Sequence, residues 1–165
     1  MRSSIAVLAS LLIFSSSVHA AELDEHLRIF QPLLESVWAG GYVGEDAPDL
    51  EIVLRFEAIL DGMAIRYSRD AEAVDFAAVT HFYWNPDRKE VCFLSLNSRG
   101  MVDEGVVESD GDTIVLRGKS IWPDRIVEFK TELHLDEDGT LRDTFTRKEN
   151  TGWEQGHVQE FVVRN

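Results

Sequence analysis

Residues 126–148 read IVEFKTELHLDEDGTLRDTFTRK, and they spell out two strands with a tight reversal between them. Val127, Phe129, Leu133 and Leu135 fall on one parity, while Glu128, Lys130, Glu132 and His134 fall on the other. An extended chain points successive side chains to opposite faces, so this alternation describes a half-buried strand with one wet side. Asp138-Gly139 tolerates positive backbone torsion and turns the chain back on itself. The next segment alternates again, but Asp143 and Arg147 share the parity of Leu141 and Phe145. One hairpin thus announces a β fold and a polar break in its apolar face.

Outward from this hairpin the same grammar recurs. Short runs rich in Val, Ile, Phe, Tyr and Thr predict strands at 38–43, 51–59, 63–69, 77–84, 90–97, 101–108, 113–119, 125–135, 140–148 and 153–163. Asp61-Gly62, Asn85-Pro86-Asp87, Asp110-Gly111 and Asn150-Thr151-Gly152 mark further reversals. Ile52, Leu54, Phe56 and Ala58 share one side of the second strand, with Glu51, Arg55 and Glu57 opposite. The fold class is therefore mainly β, an antiparallel up-and-down meander of about ten strands. Closing it into a barrel would remove its exposed edges, and a two-sheet sandwich is the competing architecture.

Before the strands, Leu23, Leu27, Phe30, Leu34 and Val37 are spaced three to four apart and build one stripe on a helix. Pro32 lacks a backbone donor, which predicts a kink or a restart there. No other helix is expected.

At the N-terminus Arg2 precedes an apolar and small run from Ile5 to Phe14, then Ser15-Ser16-Ser17 and Val18-His19-Ala20. This layout predicts a secretory signal over residues 1–20, cleaved after Ala20. The run is about half of what a spanning helix requires. Residues 21–165 would then form a single domain, periplasmic or secreted and without membrane insertion. Its sole cysteine, Cys92, has no partner within the chain and lies in an apolar run, so it reads as a small buried hydrophobe.

The formal net charge is -14, and losing Arg2 makes it one unit more negative. Such a surface repels phosphate backbones and anionic lipid heads, which disfavours nucleic acid and membrane partners. It also keeps an exported protein in solution.

The apolar parity of the last two strands carries polar residues: Asp143 and Arg147 in one, Gln155, His157 and Gln159 beside Trp153 and Phe161 in the other. If that face points inward, each unbonded polar group costs about 1 to 3 kcal/mol, so the groups must meet each other, water or a ligand. In the fourth strand Val79, His81 and Tyr83 oppose Thr80, Phe82 and Trp84, and both sets contain aromatics. Rings with a few convergent polar groups are what small-molecule sites look like; a satisfied internal network is the structural alternative.

Other chemistry finds little support. His26, His81, His134 and His157 fall in four elements without ligand spacing, so no metal site is inferred. The acids of a calcium loop are missing around Asp136-Glu137-Asp138-Gly139, where His134 and Phe145 occupy positions that need them. Haem would need an axial histidine, for which His157 is the candidate, but nothing pairs with it, and no cofactor is inferred. There is no phosphate loop and no nucleophile elbow, and no catalytic residue is assigned.

The leading helix, Val37-Trp38-Ala39-Gly40-Gly41-Tyr42 in the first strand, the serial hairpins, Asp138-Gly139-Thr140, Trp153 and Arg164 together resemble the calycin superfamily. The likeness is to small bacterial secreted lipocalin-like domains of unknown function. Trp38 precedes Gly40 here, where lipocalins have Gly-x-Trp. The resemblance implies a barrel with a cavity for a small hydrophobic or amphipathic molecule, and Arg164 packed across Trp38 as a cation over a ring. The expected ligand-binding residues are Phe145, Arg147, Trp153, His157, His81 and Tyr83, with Arg147 meeting an anionic head. A non-enzymatic interaction domain with a filled barrel is the alternative. An enzyme using His157, His81 and Asp143 inside the barrel is a second one.

Overall fold

In the computed structural model, residues 22–164 are described, and the leader expected at 1–20 lies outside them. Ten strands follow in order: β1 (Val37–Tyr42), β2 (Ile52–Ile59), β3 (Ala64–Ala71), β4 (Phe76–Asn85), β5 (Glu90–Asn97), β6 (Val102–Asp110), β7 (Thr113–Ile121), β8 (Ile126–Leu135), β9 (Leu141–Glu149) and β10 (Gly152–Val163). Each pairs antiparallel with its chain neighbours, and β1 pairs with β10, so the sheet closes. The barrel, not the sandwich, is the architecture. Among the described residues, closure leaves the sheet no unpaired edge strand.

Up-and-down topology gives the barrel two ends. Strand starts of β1, β3, β5, β7 and β9 and the segment before β1 share one end; the loops 43–51, 72–75, 98–101, 122–125 and 150–151 share the other. The N-terminal segment plugs the first. It forms a 3₁₀ helix, Glu25–Leu33, where the sequence suggests a kinked or restarted helix. Asp24 caps it by accepting from the His26 backbone N–H at 2.9 Å, and Pro32 sits at its end without a restart. The backbone N–H of Asp24 donates to the Gly62 carbonyl at 3.0 Å, tying the plug to the turn between β2 and β3.

Leu27, Phe30 and Leu33 of this helix are buried against Trp38, Leu54, Phe56, Ile65, Phe82, Leu141 and Phe161. Each large apolar side chain so placed contributes about 1.5 to 3 kcal/mol. Phe30 stacks on Phe82 with ring centroids 4.5 Å apart. This settles β4: Thr80 and Phe82 point inward, while His81 and Tyr83 are exposed on the outer wall. Cys92 is free and buried.

Three further expectations are corrected. A one-turn 3₁₀ helix, Glu72–Val74, interrupts the run of strands. Arg164 does not cover Trp38; its guanidinium pairs with Glu51 at 2.7 Å. Trp38 is instead held by the plug, donating from its indole nitrogen to the Leu33 carbonyl at 3.2 Å. And β10 is not regular, because its register to β9 shifts between Gln155 and His157.

Candidate functional site

The other half of the barrel is not filled. A pocket of about 840 Å³ opens toward the loop end, and its wall includes Tyr67, Phe93, Phe129 and Phe145. Rings run continuously around the interior: Phe82 to Phe93 at 6.3 Å, Phe93 to Phe129 at 6.0 Å, Phe129 to Phe145 at 5.7 Å, and Phe145 stacked on His157 at 4.9 Å. Tyr42 meets His157 edge-on at 5.4 Å. Two glycines make room for this belt. Gly105 and Gly118 face each other across β6 and β7, and a Cβ on either would lie within 2.8 Å of the Phe93 ring. Their bare backbones let the ring lie against the wall.

A polar cluster interrupts the rings. Arg69 of β3 reaches across the interior to form a buried ion pair with Asp143 of β9. Its Nε donates to the Tyr67 hydroxyl at 3.1 Å. Burial opposes the guanidinium charge, but Tyr67 and Asp143 outweigh it and hold the Arg69 pKa above its ordinary value. Burial likewise pushes the Tyr67 phenol up. Asp103, which also lines the pocket, is raised by desolvation, with Ser120 and Arg69 pulling the other way. His157 is lowered, chiefly by desolvation and opposed by Asp143, which favours its neutral form.

Several of these groups are left incomplete. Asp143 Oδ1, Asp103 Oδ1 and both amide atoms of Gln159 are buried and make no hydrogen bond among the described residues. Gln159 is the cross-strand partner of Asp143 and is fully buried. Such atoms are uncommon in folded proteins and costly where they occur.

The mouth has a different character. Arg99 lies over the Phe76 ring at 5.4 Å and Arg125 over Trp122 at 5.3 Å, and all four residues line the pocket. Among the described residues, every lysine and arginine other than Lys89, Arg99 and Arg125 makes an ion pair with an acid. In so acidic a chain, two of the three unpaired cations therefore stand at one opening.

Of the residues expected from sequence, Phe145, Arg147 and His157 come together in the pocket wall. Arg147 pairs with Glu149 at 2.6 Å, so its charge is already balanced. Trp153 is exposed and lies outside the lining, as do His81 and Tyr83. The reason for Trp153 is the bulge at Gly156, which flips parity, so that Trp153 pairs with outward-facing Lys148 and not with an inward residue. Phe145 packs where a Gly156 side chain would be, 2.6 Å from the nearest ring carbon. His81 stands on the opposite side of the wall from Asp143 and His157, so the three do not converge. Asp103 is readable in the sequence only as one of many neighbouring acids, beside Glu104, and Arg69, Arg99 and Arg125 carry no sequence expectation. An arginine on the inward parity of β3, with Ile65, Tyr67 and Ala71, was the signal available for Arg69. Among the described residues no group of three or more His, Cys, Asp or Glu could hold a metal ion. No family model and no curated protein matches the sequence.

Proposed function

We propose that this is an exported, calycin-like barrel that binds a small amphipathic anion, with the apolar body among the rings and the anionic group at the mouth. The observation that carries the reading is the pocket itself. Its volume of about 840 Å³ falls in the range of small-molecule sites, roughly 300 to 1,000 Å³, and its wall is mainly aromatic and aliphatic.

Orientation follows from charge. Arg99 and Arg125 have no carboxylate to answer them, and a guanidinium binds carboxylate or phosphate in a planar, two-point fashion. The chain as a whole carries -14 and repels anions, so these two guanidinia mark where an anion would be admitted. Arg147 adds its aliphatic stem to the rim, with its head committed to Glu149. Export rests on the leader at residues 1–20, and the calycin likeness on the closed meander with its plugged end.

The test uses the purified protein and N-phenyl-1-naphthylamine as a fluorescent probe, displaced by fatty acids of eight to sixteen carbons. Saturable binding of probe and acid at a single site is expected. Replacing both mouth cations, Arg99→Gln with Arg125→Gln, should weaken the acids about tenfold, the loss of roughly 1.4 kcal/mol, and leave fatty alcohols unchanged. Absence of saturable binding by any acid in the series would overturn the reading.

A further inference from the structure

The interior beyond the rings is polar, and a plain hydrocarbon tail would leave it so. Asp143 is almost wholly buried, and one of its oxygens serves Arg69 while the other has no partner. Gln159, its neighbour across β9 and β10, has neither a donor for its carbonyl nor an acceptor for its amide nitrogen. Asp103, whose Oδ1 is also unanswered, stands at the mouth end of β6 and is not part of this deep set. The deep set counts two acceptors against one donor, and Gln159 supplies one of each whichever way its amide is turned. No cation is left over to meet a second anion, because Arg69 is already bound by Asp143 and Tyr67.

These atoms are already closed to solvent, and a ligand that ended here in a methyl group would leave them unsatisfied. Asp143 lines the pocket with Gln159 packed behind it, and a ligand that ended in a hydroxyl could donate to the Asp143 carboxylate. A site built to hydrogen-bond a hydroxyl discriminates strongly against the analogue lacking it, since its own buried groups are then unpaired.

From this we infer that the ligand is polar at both ends: an anionic group held at the mouth and, at the far end of its apolar body, a hydrogen-bond-donating group such as a hydroxyl received by Asp143, with Gln159 as its buried cross-strand neighbour. The inference rests on the amphipathic-anion reading above and narrows it to ω-hydroxylated acids and molecules of similar shape.

The experiment compares, with the same displaced probe, ω-hydroxy acids of eight to sixteen carbons with unsubstituted acids of equal length. The expected result is a chain length at which the hydroxy acid binds about tenfold more tightly than its parent. In a purely apolar cavity the hydroxyl would instead weaken binding at every length. Gln159→Leu should reduce the preference. The combined variant Arg69→Met, Asp143→Leu and Gln159→Leu, which removes the buried pair together and so leaves no lone charge, should reverse it. Acids that bind with no hydroxyl preference at any length, as when the polar atoms hold internal water only, overturn this inference and leave the parent reading standing. A preference untouched by Gln159→Leu and by the combined variant overturns it as well. If neither kind of acid binds, both readings fall.

Discussion

The two halves of the barrel are cut from the same strands and come out differently. In the plugged half, inward positions are Leu54, Phe56, Ile65, Phe82, Leu141 and Phe161, each essentially without exposure, and the 3₁₀ helix inserts Leu27 and Phe30 among them. In the loop half, the same inward parity carries Arg69, Asp103, Ser120, Asp143 and His157 around open volume. Apart from the bulge in β10, what differs is the supply of apolar side chains and the presence of a plug. Backbone pairing closes the cylinder along its whole length, while side-chain volume decides which part of it is solid.

The largest expected effect separates the halves by stability. Phe30→Ala removes a fully buried ring stacked on Phe82 and should cost about 3 to 5 kcal/mol, because the packed half can relax only partly around the hole. Phe145→Ala removes a half-buried ring that already borders empty space and should cost nearer 1 kcal/mol. Urea unfolding with a shared slope measures both. Equal losses would mean that the two halves are packed alike.

The sequence made one of these halves far easier to read than the other. Strand order and the turns at Asp61-Gly62, Asp110-Gly111 and Asp138-Gly139 follow from local chemistry, and the ten strands lie within a few residues of where alternation puts them. Facing was legible only where one parity is plainly apolar. In β4 it was not, because Phe82 and Trp84 compete with His81 and Tyr83, and the choice falls to Phe30, which comes from a different element. Trp153 misled because parity was extended through Gly156, where one extra residue reverses it. Asp143 and His157 stood out as polar breaks, but nothing near Asp143 announces Arg69, whose partner lies 74 residues away along the chain. Arg99 and Arg125 stand out only once the other cations have been seen to find acids.

A smaller effect probes the cost of keeping the open half polar. Asp103 is held above its usual carboxylate range by desolvation, so the folded state keeps a proton that the unfolded chain releases near 3.8. A group raised in this way favours folding below its unfolded pKa, and that contribution is lost as pH rises through the folded value. At neutral pH the ionised, partly unanswered carboxylate works against the fold. Asp103→Asn should therefore raise stability by about 1 kcal/mol at pH 7.5 and gain less at pH 4.5, as read by urea midpoints at the two pH values.

The smallest effect has the opposite slope. His157 is lowered from 6.5 by burial between Phe145 and Tyr42, with Arg69 adding to the shift and Asp143 resisting it. The unfolded chain takes up a proton on this ring before the folded one does, so acidification through 6.5 should erode stability until the folded ring titrates too. A single site can impose no more than about 1.4 kcal/mol per pH unit. His157→Gln should flatten the stability profile between its folded pKa and 6.5 while leaving the Asp103 slope intact. Combining it with Asp103→Asn should remove both bends, since the two groups sit on different walls. A profile through 6.5 that His157→Gln leaves unchanged would show that the ring is as well solvated folded as unfolded, and the open half would then be no more than a wet notch in the barrel's rim.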